Sequence, residues 1–321
     1  MTPGRPLVSI AMAAFNASRF VEAALSSLSA QTLTDLEVLV ADDGSKDDTA
    51  ACVERAVRRD PRIRLLRLGE NRGQAFALNK ALDEARGRYL AVLDADDEAP
   101  PSRLADQVLS LERDPALLLV GGAAQTFEDG RAGVGALWRY ATDDPDIRVR
   151  NLFKSEFISG AMTFDRERLA AHGLRFDPRL RLGNDWDLSS RALRVGRVAN
   201  LQTVVLRYRL HGAQMTAGMM DDVRSDSARI RLDALSWLGI SPDLDELRVH
   251  MAVSPCNYWP FGSHPYFTAR GPTIARDAAR WFTRVRTAAA RTGRVPLAPL
   301  DAYLDEIMAD IARCLPPGRT R

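Results

Sequence analysis

Cysteine is scarce and scattered. Three residues, Cys52, Cys256 and Cys314, are spread over 321 positions with no C-x-x-C spacing. That indicates neither a disulfide framework nor a zinc site and leaves free thiols in a reducing compartment as the plain reading. Charge of one sign is also lacking: 44 Lys and Arg against 42 Asp and Glu leave a net charge of +2. Nothing in that balance calls for nucleic acid. No apolar run is long enough to span a membrane, and the N-terminus, MTPGRPLVSIAMAAF, lacks the basic region, apolar core and cleavage site of a secretory signal. The protein is expected to stay in the cytoplasm where it is made. No G-x-G-x-x-G follows the first apolar segment, which disfavours a dinucleotide oxidoreductase, and no internal repeat is visible.

What is present is a core and a rhythm. Hydrophobic residues make up 46% of the chain and charged residues 27%, the balance of a globular protein with a substantial interior. Apolar segments at 7–14, 36–42, 63–69 and 89–93 read as strands. Between them, 17–31, 47–60 and 73–87 carry apolar residues at helical spacing. The alternation predicts an α/β unit with a mostly parallel sheet, and strands apolar on both faces predict helices on both sides. Further on, 116–130, 159–165 and 200–212 read as strands, and 102–113, 166–173 and 184–196 as helices. After residue 216 the composition turns helical, with a helix at 221–240, an aromatic and proline-rich connector at 255–267, then two more helices. This predicts a catalytic domain over 1–215 and a helical extension over 216–321, with a disordered tail at 316–321.

The acids are not scattered. They fall where expected strands end: Asp42 and Asp43 after the second, and Asp94, Asp96 and Asp97 after the fourth, with Asn16 just beyond the first. Ligands of such sheets bind at the carboxyl ends of the strands. In an extended chain Asp94 and Asp96 point to one side, and carboxylates held so close call for a cation. Oxygen donors suit Mg2+ or Mn2+, ions that commonly bring phosphates. The plain alternative is that these acids precede the 102–113 helix and favour its dipole. Ser45 and Asp48 fit a capping box that opens the second helix. For Asp47 and Asp48, helix-start acids are the simpler reading, whereas Asp42 and Asp43 stand at the strand end, suited to accept hydrogen bonds from a base or ribose.

Four segments together resemble the inverting glycosyltransferases of family 2, with the GT-A fold, over roughly residues 6–215. They are "PLVSIAMAAFNASRFVEAALSSLSAQTLTDLEVLVADDGSKDDT", "NRGQAFALNKALDEARGRYLAVLDADDEAPPSRL", "GNDWDLSSRAL" and "LRYRLHGAQMT". The resemblance implies a Rossmann-like nucleotide-binding sheet with a C-terminal helical appendage. It implies an enzyme that moves a sugar from a nucleotide-sugar donor, UDP by family habit, to a hydroxyl of a glycan or lipid-linked acceptor in bacterial surface polysaccharide synthesis. By position it puts Ala13, Phe15 and Asn16 around the base, Asp43 on it, and Glu37 and Asp42 at base or ribose. Asn71, Gly73, Asn79, Asp94, Ala95 and Asp96 complete the donor set. Asp96, Asp97 and His211 are placed at an Mn2+ or Mg2+ ion with the diphosphate, and Asp185 as general base. Trp186 is read as core or an acceptor wall.

Two departures stand out. Ala13 and Ala14 replace the family's usual proline and hydroxyl residue, and Asn184 replaces the usual glutamate before Asp185. Asp187 is a rival base, but on a helix the two acids point in different directions. A sugar nucleotidyltransferase is a second enzyme reading, without the basic glycine-rich N-terminal loop it ordinarily needs. A non-catalytic scaffold is the third, and retention of Asp43, Asp94, Asp96, Asp97 and Asp185 argues against it. In the extension, Ile274, Ala278, Trp281, Phe282 and Val285 share one helical face and Arg276, Arg280 and Arg284 another. Such a helix, over 274–294, suits either peripheral contact with the inner face of a membrane or packing on protein, including a second subunit of a homo-oligomer.

Overall fold

The computed structural model describes residues 5–130, 133–212, 214, 220–254 and 261–315. Cys256, the 316–321 tail, part of the 255–267 connector and the expected boundary at 215/216 lie outside them. The chain forms two compact units, one of Met1–Asp143 with Phe157–Val223, the other of Asp144–Glu156 with Arg224–Arg321.

The first unit is the expected α/β fold. Strands β1 (Val8–Ala14), β2 (Leu36–Asp42), β3 (Ile63–Arg67) and β4 (Tyr89–Val92) are linked by α1 (Val21–Ser29), α2 (Thr49–Arg59) and α3 (Gln74–Glu84). These four strands pair in parallel in the order β3-β2-β1-β4. After α4 (Arg103–Arg113) come β5 (Leu117–Glu128), β6 (Leu137–Trp138) and, past a 3-10 turn at Ser159–Ala161, β7 (Thr163–Asp165). Strand β7 runs antiparallel between β4 and β5, and β6 borders β5 antiparallel. Helices α6 (Arg166–Ala171) and α7 (Asn184–Ala192) lead to β8 (Arg197–Leu210), which lies parallel to β5. Ile10, Met12, Val38, Val40 and Ala91 are buried to 1% or less, which is why these strands read as unbroken apolar runs.

The capping box at Ser45 and Asp48 is not formed. The helix starts later, at Thr49, whose N–H and hydroxyl both go to Asp47, while the Ser45 hydroxyl accepts the Asn16 N–H.

The second unit holds α5 (Asp144–Arg150), α8 (Met220–Trp237) from Arg224 onward, α9 (Leu244–Ala252), α10 (Pro265–Arg270), α11 (Thr273–Thr292) and α12 (Leu297–Cys314). Helices α5, α9 and α10 go beyond the expected ones, α10 starting inside the expected 255–267 connector. The segment 144–156, inside the expected first domain by sequence, groups here because Val149, Leu152 and Phe153 join the apolar core of these helices. A capping box of Asp243 and Glu246 opens α9.

The apolar face of α11 is spent within this unit. Ile274, Ala278, Trp281, Phe282 and Val285 are all buried to 2% or less. The Trp281 indole N–H donates to His250 Nδ1 at 3.1 Å, and His250 Nε2 lies 3.0 Å from the Leu152 carbonyl. A carbonyl only accepts, so Nε2 carries the proton and the ring is neutral. Burial, with Arg231 nearby, drives its pKa down to about 3. Of the two expectations for 274–294, these apolar side chains meet packing on protein: they lie in the core of their own unit. Among the described residues no helix is long and apolar enough to cross a membrane.

Candidate functional site

The parallel register brings β1, β2 and β4 to a common carboxyl edge. Ala14 is the partner of Asp42, and the Leu93 N–H reaches the Ala11 carbonyl. Phe15 leaves β1 with 45% of its surface exposed, and half-buried Ala13 precedes it. Asn16 adopts φ 50°, and its side-chain oxygen accepts the Lys46 N–H at 2.8 Å, tying the first strand end to the second.

Asp42 and Asp43 are both buried. Asp42 accepts the Ser45 N–H at 3.1 Å. Asp43 takes the N–H groups of Arg72 and Gly73 at 3.0 and 2.8 Å, one on each oxygen. This folds the exposed Asn71–Gly73 loop against the strand end. Gly44 makes room for it: a Cβ there would stand 2.7 Å from the Glu70 backbone.

The acidic segment after β4 is a turn rather than an extension of the strand. The strand stops at Val92, and the Asp97 N–H bonds back to the Asp94 carbonyl at 3.2 Å. The same-side argument for Asp94 and Asp96 therefore does not hold, although the acids stay together. None of them caps α4, because the Leu104 N–H goes to the Gln31 side chain instead. Asp94 Oδ1 accepts from Gln74 at 2.9 Å and from the Ser159 hydroxyl at 3.4 Å. Burial, then the carboxylates of Asp96 and Asp185, push its pKa up to about 7. Asp97 is 1% exposed, and burial with Asp96 and Asp94 raises it well above the carboxylate range. Its Oδ1 accepts the Arg209 N–H at 2.8 Å, and its buried Oδ2 has no partner. Asp96 reaches His211 Nε2 at 3.0 Å, while His211 Nδ1 is buried without a partner. Ala95 is buried between the acids.

Asp185 stands in the first turn of α7 and accepts the Trp186 N–H at 2.8 Å. Burial raises its pKa, and the N–H groups of Trp186, Asp185 and Ser159 offset part of that rise. The Ser159 turn thus touches both Asp94 and Asp185. The rival Asp187 is ion-paired to Arg191 at 2.5 Å. Asn184 is buried, with its amide turned back on the Leu180 carbonyl, and Trp186 is buried in the core.

Two expected donor residues lie elsewhere. Glu37 is at the opposite end of β2 from Asp42, five residues and about 17 Å along an extended chain. There it accepts from Ser9 at 2.6 Å and from the Arg86 guanidinium at 2.7 Å. Asn79 sits mid-helix in α3 and clamps the Phe176 backbone, donating to its carbonyl at 2.8 Å and accepting its N–H at 3.1 Å. Both serve the scaffold.

Four contributors were missed. Gln74 and Ser159 hold Asp94, and Arg209 holds Asp97. Arg103 lies beneath the acids, 1% exposed, and donates to the Val92 carbonyl at 2.7 Å. Burial lowers its pKa to about 10 against the pull of Asp94 and Asp97. Only Arg103 left a trace in the sequence: a cation in the first turn of a helix opposes the dipole and needs another reason to be there.

A mostly parallel sheet with buried acids gathered at its carboxyl edge, and a helix-start carboxylate facing them, defines a GT-A type glycosyltransferase. The chain belongs to glycosyl transferase family 2, whose sequence profile matches residues 9–171. It is 28% identical to an uncharacterized glycosyltransferase of Haemophilus influenzae over 239 residues, 72% of this chain and 74% of that one. It is 37% identical to the succinoglycan biosynthesis protein ExoO of Rhizobium meliloti over 199 residues, 60% of this chain and 57% of that one. In fold it is similar to S. aureus TarS in complex with UDP-GlcNAc, with a TM-score of 0.62 at 18% identity, covering 95% of this chain and 89% of that one. The mannosyltransferase PcManGT from Pyrobaculum calidifontis, in complex with GDP-Man and Mn2+, follows at TM-score 0.54 and 20% identity, covering 97% and 87%.

Proposed function

We propose that this glycosyltransferase is metal-dependent and inverting, and that it transfers a sugar from a nucleoside-diphosphate donor to a hydroxyl of a growing surface glycan. The carrying observation is the meeting of Asp185 and Asp94 at the Ser159 turn, with both carboxyl groups raised. A raised helix-start carboxyl suits a general base that takes a proton from an acceptor hydroxyl near neutral pH. In this reading its partner across the turn, Asp94, accepts hydrogen bonds from donor hydroxyls. Attack from the side of Asp185, opposite the leaving diphosphate, inverts the anomeric carbon.

The acids fit a hard divalent ion that draws most of its ligands from phosphate and water. Asp97 Oδ2 and His211 Nδ1 are buried and unpartnered, while no group of three or more His, Cys, Asp or Glu among the described residues converges to hold an ion unaided. Asp96 and Asp97, with His211 beside them, would hold it, and bound there it would stabilise the charge developing on the departing diphosphate. Phe15, exposed at the end of β1, offers a ring face to the base, and the 71–73 loop pinned by Asp43 borders it. The named complexes of TarS and PcManGT support a nucleotide-sugar donor, and the ExoO relative supports polysaccharide synthesis.

The test is a thermal-shift and donor-hydrolysis screen of UDP- and GDP-sugars with and without Mn2+. A shift that needs both nucleotide and ion, with release of the nucleoside diphosphate, is expected. Absence of any ion-dependent shift or release across the set would sink the reading.

A further inference from the structure

Arg209 carries more contacts at the acid turn than any role so far requires. Its side chain is 9% exposed and its donors fan out in several directions. The backbone N–H goes to Asp97 Oδ1 at 2.8 Å, and Nε to the Asp96 carbonyl at 2.8 Å. Nη1 reaches Asp129 at 3.1 Å and Nη2 reaches Glu98 at 2.8 Å. The plane of the guanidinium is also used. Its central carbon lies 4.5 Å from the Phe127 ring centre and 5.4 Å from that of Phe20. The Phe20 ring in turn lies 4.3 Å from the His211 ring. Alongside, Arg207 and Glu98 exchange backbone hydrogen bonds at 2.8 and 3.0 Å, tying β8 to the end of the acid turn.

The charge of Arg209 is taken up by Glu98 and Asp129. Toward Asp96 and Asp97 it offers one backbone N–H and one hydrogen bond to a carbonyl, and no ion pair. Its lowering effect on Asp97 is outweighed by burial and by the neighbouring acids. We infer that Arg209 is the positioning residue of the acid turn: it aims Asp96 and Asp97 and, through Phe20, steadies the His211 ring, while its charge is neutralised elsewhere. A turn fixed in this way keeps its negative potential for the ion and diphosphate. A lysine at this position keeps the cation but lacks the planar fork that makes these contacts at once. The inference rests on the donor-binding reading above.

The test compares the full chain with Arg209→Lys and with Phe127→Leu, which keeps every hydrogen bond and removes one ring face. The probes are UDP and GDP, each with and without Mn2+, together with amide hydrogen exchange. Arg209→Lys is expected to weaken Mn2+-dependent binding about tenfold and leave metal-free binding within about twofold, as loss of aim without loss of the nucleotide pocket requires. Exchange at 95–98 and 209–211 rises about tenfold, with β1 and β2 unchanged. Phe127→Leu shows the same pattern at about threefold, and it carries the test if Arg209→Lys does not fold. Equal losses with and without Mn2+, with exchange raised across the sheet, would mark Arg209 as merely structural and overturn the inference; wild-type behaviour overturns it too. If the wild type binds neither nucleotide in an Mn2+-dependent way, the donor reading fails on its own. Exchange then decides for Arg209: a rise confined to 95–98 and 209–211 upholds it, and any other pattern overturns it.

Discussion

The two ends of the parallel sheet treat buried carboxylates in opposite ways. At the amino end, Glu37 is fully supplied. Burial pushes its pKa up, but hydrogen bonds from Arg86 and Ser9 outweigh that and hold it below the usual range. The chain closes tightly around it: the Gly87 N–H reaches the Ser9 hydroxyl at 2.7 Å, and a Cβ at Gly87 would stand 2.4 Å from the Ser9 nitrogen. At the carboxyl end, burial prevails and raises Asp94, Asp97 and Asp185, helped by Asp96 and Asp185 at Asp94 and by Asp96 and Asp94 at Asp97. Arg103, beneath them, hydrogen-bonds to a backbone carbonyl and to Gln107. Removing the arginine from a buried acid leaves an uncompensated charge, whereas buried acids of raised pKa gathered at one edge mark a candidate functional site.

The sharpest way to break this contrast is Asp185→Asn. It removes the proposed base and leaves the fold intact, so transfer falls about 10²- to 10⁴-fold with the melting temperature little changed. A steady-state assay with the donor found in the nucleotide screen reads it. Glu37→Gln is next, with the opposite signature. The Arg86 side chain is 60% exposed and regains water, so the loss is stability of about 1–2 kcal/mol, with little change in kcat. Urea denaturation measures it.

The pH profile separates the ends as well. Folding raises Asp94 from the ordinary carboxylate range to about 7, so the folded state holds the extra proton between the two values and stability from this group declines as pH rises across that window. Glu37 is lowered, so its stabilisation is present above the ordinary carboxylate range and lost as pH falls through its folded value. Melting curves from about pH 2 to about pH 8 should show Asp94→Asn flattening the neutral limb and Glu37→Gln weakening the acid limb. Mn2+ with a nucleoside diphosphate should flatten the neutral limb of the wild type. The smallest effect expected is for Asp97→Asn. Relief of repulsion raises the melting temperature by about 2 °C, while ion-dependent nucleotide binding weakens, a gain in stability at the expense of function.

Much of the fold was legible because its signals are local. Apolar runs of strand length alternate with helical spacing from residue 7 to residue 113, and Asp42, Asp43, Asp94, Asp96 and Asp97 stand where those runs stop. The motif around Asp185 singled it out over Asp187, which is ion-paired with Arg191. The failures are equally specific. Glu37 and Asn79 fall in matching motifs, yet one lies at the far end of its strand and the other clamps Phe176. For the 274–294 helix the sequence left membrane contact and protein packing open, because a hydrophobic stripe does not say what covers it; here its apolar side chains lie in the core of their own unit.

By itself the sequence determined the alternation of elements, the parallel sheet and the edge at which acids collect, since periodicity and strand-end position are properties of short stretches. Only the tertiary structure decided which acids remain short of donors. Asp96 and Asp97 meet Arg209 across more than 110 residues of chain, and Asp94 meets Ser159 across 65. Burial and hydrogen-bond supply depend on such distant partners, and they set whether a carboxylate braces the sheet or waits for a ligand.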